Sequence, residues 1–294
     1  MDFNTVFSEK IKYCEDILEK FIPSKEEYPS IIFESMRYSV FAGGKRLRPV
    51  MLISACELFG GDVKNAEPFA AAIEMIHTYS LIHDDLPAMD NDDFRRGIAT
   101  NHKVFGEDIA ILTGDALLHH AMETMADACV NQNSINASKA MKAISHGAGV
   151  YGMLSGQVVD VKSEGKKIDG ETLEFIHRNK TAAMISGALM AGACIAGADD
   201  ESIKLMGEVG DKIGIAFQIQ DDILDVTSTT EVLGKPVGSD EKNEKVTYVT
   251  MYGIEKSKET VIKLSNEAID ILKSFGEKAD FLLQLTEYLI KREY

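Results

Sequence analysis

The chain has 294 residues, of which 45% are hydrophobic and 27% charged, and this composition excludes an intrinsically disordered protein because it can bury a sizeable core. Its 31 basic and 47 acidic residues give a formal net charge of −16, which argues against a nucleic-acid partner because phosphate contacts need a cationic surface. A protein this acidic must concentrate its cations locally, or use metal ions, if it binds an anionic ligand.

Helical periodicity runs along the chain, and no sustained period-2 alternation predicts strands. In the first helix, apolar residues from Phe7 to Phe21 are spaced by four, three, four and three positions. Two later helices are predicted to begin at Pro49 and Pro68, since proline suits the first position of a helix. The predicted helices cover about 7–21, 32–40, 49–59, 68–84, 107–129, 135–163, 171–178, 181–197, 200–226, 255–275 and 279–292. We therefore expect one all-α domain over residues 1–294, with longer connections only at about 89–106 and 227–246.

Other features indicate a reducing compartment and no transmembrane segment. The longest uncharged run, Thr181 to Ala198, has 18 residues, but its many glycines and alanines favour a tightly packed buried helix. The N-terminus shows no apolar signal core. Four scattered cysteines without a C-x-x-C pair indicate reduced thiols, and we expect a cytoplasmic location. These cysteines are Cys14, Cys56, Cys129 and Cys194.

Two clusters of aspartates are embedded in apolar helical stretches. The first lies in LIHDDLPAMDNDDFRRG (residues 81–97) and the second in FQIQDDILDVTS (residues 217–228). Crowded carboxylates need a cation, and a set of oxygen ligands suits Mg²⁺, which keeps positions open for phosphate oxygens. The candidate metal ligands are Asp84, Asp85, Asp90, Asp221, Asp222 and Asp225. For either cluster alone, a solvated acidic helix end is the alternative.

Local groups of basic residues supply the cations that the net charge lacks. The segment GGKRLRP (residues 43–49) places Lys45, Arg46 and Arg48 after a glycine pair, where a loop can wrap around an anion. Arg95 and Arg96 add a second basic pair beside the first Asp cluster. The pattern predicts one anion held by Mg²⁺ and another by side chains, although each basic pair alone is also typical of ordinary surface.

These motifs, with the Lys180-Thr181 pair and GKPVGSD, stand in an order and spacing that resembles the trans-isoprenyl diphosphate synthases, most of all the bacterial farnesyl diphosphate synthases. The resemblance covers nearly the whole chain. It implies an all-α, single-domain helical bundle around a deep central cavity, a homodimer, isoprenoid diphosphate substrates and three Mg²⁺ ions per active site. In such a reaction the allylic diphosphate ionises with the help of Mg²⁺, isopentenyl diphosphate attacks the carbocation, and a proton is lost.

The resemblance also implies roles for individual residues. Both Asp clusters would hold Mg²⁺ on the allylic diphosphate, which Arg95 would also bind. The positions that match the isopentenyl diphosphate site are Lys45, Arg48, His77 and Arg96. The positions that match residues around the ionising allylic group are Lys180, Thr181, Gln218 and Lys235, with Gln157 and Asp160 as supporting residues near the metals. The segment from Glu244 to Tyr248 departs from the family's G-K-x-T-Y pattern because it lacks the glycine.

Product length is predicted from the helix before the first Asp cluster. Tyr79 lies five residues and Ser80 four residues upstream of Asp84, where bulk forms the floor of the hydrocarbon pocket in the family. Together with the two extra residues Pro87-Ala88, this predicts that growth stops at farnesyl diphosphate. Geranylgeranyl diphosphate is the alternative product, with Tyr79 as an ordinary core residue.

Other classes of protein fit the motifs less well. A class I terpene cyclase shares the helical fold and the first Asp motif, but its second metal site mixes Asn, Ser/Thr and Glu. A non-catalytic prenyl synthase subunit typically loses one Asp motif, and both are intact here. A phosphohydrolase built on the His83-Asp84 pair leaves the Asp clusters unexplained. A calcium loop fails because Arg95 stands where its Gly belongs and Asn101 where its Glu belongs.

Overall fold

The computed structural model describes residues 2–227 and 245–291, and most of them lie in helices joined by short turns. The α-helices in these ranges are α1 (Phe3–Phe21), α2 (Ser30–Val40), α3 (Leu47–Leu58), α4 (Val63–Asp84), α5 (Asn101–Phe105), α6 (Glu107–Gln132), α7 (Ile135–Ala148), α8 (Met153–Ser163), α9 (Gly170–Ile176), α10 (Ala183–Ile195), α11 (Asp200–Thr227), α12 (Tyr248–Tyr252), α13 (Ile254–Lys273) and α14 (Asp280–Lys291). A π-helix (His177–Ala182) precedes α10, and a 3₁₀-helix (Gly276–Ala279) precedes α14. The predicted all-α helical bundle is confirmed.

Helices α3 and α4 begin earlier than their prolines predict. Pro49 is the third residue of α3, and Pro68 is the sixth residue of α4. The side chain of Asp62 accepts a hydrogen bond from the second amide of α4 at 3.0 Å and so caps the helix. The prediction that proline opens these two helices was wrong, and for α4 the reason is this capping aspartate.

The predicted helix over 135–163 is divided into α7 and α8. The chain turns between them so tightly that a Cβ atom on Gly152 would lie 2.2 Å from the Gly147 carbonyl oxygen. Only glycine fits there. The uninterrupted helix was therefore a wrong prediction, because periodicity alone does not report this close approach.

A short hairpin also departs from the helix-only prediction. Strands β1 (Phe94–Arg95) and β2 (Ile98–Ala99) pair antiparallel, and each has only two residues. The turn residues Arg96 and Gly97 have φ values of 53° and 80°, as a two-residue hairpin turn requires. Strands this short give no period-2 signal, so the sequence could not predict them. The hairpin matters because it presents Arg95 and Arg96.

Helices α3, α4 and α10 form the centre of the core. Helix α10 packs against α3, α7 and α11, and α3 packs against α4. A Cβ atom on Gly192 of α10 would lie 2.1 Å from the carbonyl oxygen of Leu52, so glycine lets α10 approach the backbone of α3. The uncharged run is thus buried, as predicted. Across residues 2–227 and 245–291, no helix has the length and apolarity needed to cross a membrane.

Candidate active site

Two cavities adjoin each other at the π-helix, and the larger one lies at the carboxyl end of α4. The large cavity, of about 620 Å³, is lined by α4, α6, α8 and the π-helix, and its walls include the apolar side chains Leu86, Ile111, Met153 and Val158. The small cavity, of about 140 Å³, is lined by residues of α8, the π-helix, α11 and the segment that precedes α12. Lys180 and Thr181 line both cavities and so stand between them. The site therefore combines a mostly apolar chamber with an adjoining polar one.

The first Asp cluster is held by the chain's own donors. Asp84 is the last residue of α4 and accepts a hydrogen bond from Gln157 Nε2 at 2.8 Å. Asp85 accepts from Arg95 Nε and Nη2 at 2.6 to 2.9 Å, a two-pronged contact that fixes the hairpin to the end of α4. The backbone amide of Asp90 donates to the Asp84 carbonyl oxygen at 2.8 Å, so the cluster closes on itself.

Burial makes these carboxylates costly as anions. It raises the pKa of Asp84 to about 6, although the nearby Lys180 acts in the opposite direction. Burial also raises the pKa of Asp85, against the hydrogen bonds from Arg95. Additional positive charge would stabilise the ionised forms. This is what a site prepared for a divalent cation requires.

The second Asp cluster lies near the carboxyl end of α11. Asp222 is buried and accepts hydrogen bonds from the Tyr248 amide at 2.8 Å and from Gln218 Nε2 at 3.2 Å. Asp225 is also buried, and Asp221 is partly buried on the same helix. The buried ring of His177 lies 3.6 Å from Asp222, and burial lowers the pKa of this histidine to about 4. His177 is therefore a neutral neighbour at pH 7.

Side-chain contacts join the π-helix to α8 on one side and to α11 on the other. Lys180 Nζ lies 2.5 Å from Asp160 on α8, and Thr181 donates a hydrogen bond of 2.9 Å to the Gln218 side-chain oxygen on α11. A Cβ atom on Gly156 would lie 2.2 Å from the Lys180 amide nitrogen, so α8 packs directly on the π-helix backbone. π-Helical turns are frequent at functional sites, and this one presents two neighbouring polar residues to the cavities.

The described carboxylates do not form a closed metal cage. Within residues 2–227 and 245–291, no three His, Cys, Asp or Glu side chains converge on a point that could hold a metal by themselves. Mg²⁺ commonly binds through one or two carboxylates, with phosphates and waters completing its shell. The oxygen-only ligands and the raised pKa of Asp84 fit such an ion. The predicted ligands all lie in the described part of the chain and would hold it: Asp84, Asp85, Asp90, Asp221, Asp222 and Asp225.

A cationic group lies on the other side of the α4 end. Arg48 and His77 line the large cavity, and the Arg96 guanidinium donates to the Gly43 carbonyl oxygen. A Cβ atom on Gly44 would lie 2.7 Å from the Arg96 guanidinium, so the glycine loop and the hairpin meet here. Burial lowers the pKa of His77 well below its usual value, and Arg48 and Arg96 lower it further.

One buried nitrogen of the cationic group makes no hydrogen bond to the described residues. Arg48 Nε is buried and has no hydrogen-bond partner within the described residues. Burial, with the charge of Arg96, lowers the pKa of Arg48, although Glu74 acts in the opposite direction. An anion bound between Arg48 and Arg96 would relieve both effects. Lys45, which was predicted here too, is partly buried in the same loop.

Some predicted residues do not join the site. Arg46 was expected to wrap an anion, but its side chain turns inward, is 1% exposed and pairs with Glu74 at 2.9 Å. That expectation was wrong because the buried glutamate captures the guanidinium. Lys235 lies outside the described residues.

The two residues predicted to set product length do lie at the site. Tyr79 and Ser80 both line the large cavity, and the Tyr79 ring meets the His83 ring edge-on at 5.8 Å.

One cation of the site was missed by the sequence reasoning. Lys245 Nζ lies 3.1 Å from Asp90 and 3.8 Å from Asp160, and it lines the small cavity. Burial lowers the pKa of Lys245, but Asp160 and Asp90 outweigh it and the pKa is raised. The one sequence signal for Lys245 is that the segment from Glu244 to Tyr248 resembles the family's G-K-x-T-Y pattern, in which a lysine stands at this position.

Comparisons with known proteins show the family to which the chain belongs. Residues 29–284 match the family model described as polyprenyl synthetase. The chain is 48% identical over 294 residues to a chloroplastic geranylgeranyl pyrophosphate synthase of Catharanthus roseus, covering 99% of this chain and 82% of the relative. A crystal structure of an FPP/GFPP synthase from Zymomonas mobilis superposes with a TM-score of 0.87 at 32% identity, over 98% of each chain.

A second solved structure bears on the metal. It is a geranyltransferase from Helicobacter pylori complexed with magnesium and isoprenyl diphosphate, with a TM-score of 0.85, 30% identity and coverage of 99% of this chain and 97% of that one. The fold, the paired Asp clusters and these relatives define a prenyltransferase. The chain belongs to the polyprenyl synthetase family.

Proposed function

We propose that this protein condenses isopentenyl diphosphate with an allylic diphosphate and releases a longer prenyl diphosphate. The observation that carries the proposal is the pair of adjoining cavities. One receives side chains of both the π-helix and the second Asp cluster, and the other joins Asp84 to an apolar chamber. A diphosphate needs the first kind of surface and a hydrocarbon tail needs the second.

Different residues have different roles in the proposed reaction. When bound, Mg²⁺ supplies charge that stabilises the departing diphosphate. Arg95 holds the end of α4 and the hairpin together, and Lys180 brings positive charge to the border between the cavities. Thr181 and Gln218 present oxygen dipoles to the same border without a strong nucleophile, which suits a carbocation that must not be trapped. The number of three Mg²⁺ ions remains a prediction.

The cationic group is the proposed site for isopentenyl diphosphate. The charge of Arg96 lowers the pKa of Arg48, and both guanidinium groups lower the pKa of His77. A neutral His77 can still donate one hydrogen bond to a phosphate oxygen. A bound diphosphate would give the buried Arg48 Nε a partner and offset the repulsion between the two guanidinium groups.

The product length has two candidates. The curated relatives favour geranylgeranyl diphosphate, as in the Catharanthus roseus enzyme, over the farnesyl diphosphate that the sequence motifs predict. The observation that favours farnesyl diphosphate is the position of Tyr79, whose buried ring lines the large cavity one and a half turns before Asp84. The homodimer and the cytoplasmic location also remain proposals.

Product sizing tests the function directly. The purified protein is incubated with Mg²⁺, isopentenyl diphosphate and dimethylallyl, geranyl or farnesyl diphosphate, and the dephosphorylated products are separated by chromatography. Prenyl alcohols of 15 or 20 carbons support the proposal and identify the product. Cyclic hydrocarbons instead support a terpene cyclase, and the absence of turnover with every primer supports a non-catalytic subunit.

A further inference from the structure

Lys245 is surrounded by carboxylates from two distant parts of the chain. Its Nζ atom lies 3.1 Å from Asp90, 3.8 Å from Asp160 and 3.7 Å from Glu164. The side chains of Lys245, Asp90 and Asp160 are each 16 to 17% exposed, so solvent screens these contacts only partly. Lys245 thereby ties the segment before α12 to both α8 and the first Asp cluster.

The carboxylates near Asp90 also have partners within the chain. Arg95 satisfies Asp85, Gln157 satisfies one oxygen of Asp84, and Lys180 satisfies Asp160. Asp90 has its described ion-pair partner 155 residues away, and Lys245 already occupies the carboxylate oxygen that a metal would use. A cation bound at Asp90 would therefore compete with Lys245 for this carboxylate.

We propose that Lys245 is a positioning residue that acts as an internal counter-ion at Asp90 and must leave when a divalent cation binds there. The proposal rests on the proposed function, because it takes Asp90 as a ligand of that cation. A divalent cation bound to Asp90 would repel the Lys245 ammonium, whose nitrogen lies 3.1 Å from the same carboxylate. Binding of the cation and release of Lys245 from Asp90 are consequently one coupled event.

This coupling has a definite sign. In the absence of diphosphate, Lys245 weakens cation binding, since the cation must displace it. Once released, the Lys245 ammonium is free to lie near the diphosphate, in the small cavity that it already lines. The protein would thus bind the cation poorly alone and well together with its anionic substrate, which keeps the acidic cluster from retaining metal between turnovers.

Mn²⁺ binding without any diphosphate tests the proposal. Free Mn²⁺ is measured by electron paramagnetic resonance for the wild type, Lys245→Gln and Lys245→Arg. We expect Lys245→Gln to bind Mn²⁺ on the order of tenfold more tightly, because a nearby positive charge is removed. Lys245→Arg keeps the charge and should bind no more tightly than the wild type. Lys212→Gln is the matched control, since Lys212 of α11 pairs with Glu267 of α13 and lines neither of the two cavities.

Each outcome of the Mn²⁺ titrations either supports or overturns the proposal. A tightening of threefold or more in Lys245→Gln, absent from the control, supports the proposal, and any smaller change overturns it. If Lys245→Gln does not fold, tighter binding by Lys245→Arg than by the wild type overturns the proposal, and equal or weaker binding supports it. In Asp90→Asn the Lys245→Gln effect should disappear. Because these titrations contain no substrate, their failure is distinct from a failure of turnover in the wild type.

Discussion

The buried ion pair between Arg46 and Glu74 allows a quantitative test of how the cationic group is built. Arg46 Nη1 lies 2.9 Å from Glu74, Nη2 donates to the Val40 carbonyl oxygen at 2.7 Å, and the paired side chains are 1% and 2% exposed. Glu74→Gln leaves a buried guanidinium without its counter-charge, which costs roughly 3 to 5 kcal/mol of stability. The double variant Arg46→Met with Glu74→Leu removes both charges and should recover most of that loss of stability.

Urea unfolding at fixed protein concentration measures these changes. The control is Glu174→Gln, which breaks an exposed pair with Arg178 and should change stability by no more than about 0.5 kcal/mol. Glu74 stands three residues before His77 and Arg46 two before Arg48, so the pair also aligns the proposed anion site. A Glu74→Gln cost below 1 kcal/mol, or a double variant less stable than Glu74→Gln, would refute this account of the pair.

Three further predictions concern the cavities. Tyr79→Ala removes bulk from the large cavity and should lengthen the main product by at least one five-carbon unit; chromatography showing an unchanged length would instead make Tyr79 a plain core residue. Gly156→Ala forces a Cβ against the Lys180 backbone and should cost about 1 to 3 kcal/mol in thermal unfolding, more than Gly207→Ala, where the nearest atom is a flexible methionine sulphur at 3.0 Å. The pKa of His177 is about 4 in the folded protein and about 6.5 in the unfolded chain. Between these two pH values only the unfolded chain is protonated at this histidine. The free energy of unfolding should therefore fall by about 3 kcal/mol as the pH is lowered from 6.5 to 4. His177→Asn should lack that part of the pH dependence, and equal slopes for the two proteins would argue against a neutral His177.

The sequence predicted the features that depend on local pattern. Apolar spacing located most of the helices, and the two Asp clusters stood out because carboxylates are rare inside apolar helices. Lys180, Thr181 and Gln218 could be named only through a resemblance, since nothing in their own spacing shows that the π-helix faces α11. Their approach depends on tertiary packing.

Other features were out of reach for physical reasons. The inward turn of Arg46 depends on a glutamate on a different helix, 28 residues later, so the GGKRLRP segment looked like three equivalent cations. The contact between Lys245 and Asp90 spans 155 residues and carries no periodic signal. The break at Gly152 reflects a backbone approach that only the folded chain reveals.

The measurement closest to the central claim is turnover after neutralising one aspartate from each cluster. If both clusters serve one set of divalent ions on one diphosphate, Asp84→Asn and Asp222→Asn should each lower kcat by about a hundredfold or more. Asp200→Asn, at the exposed start of α11, should leave kcat unchanged. Near wild-type turnover in either cluster variant would contradict the account.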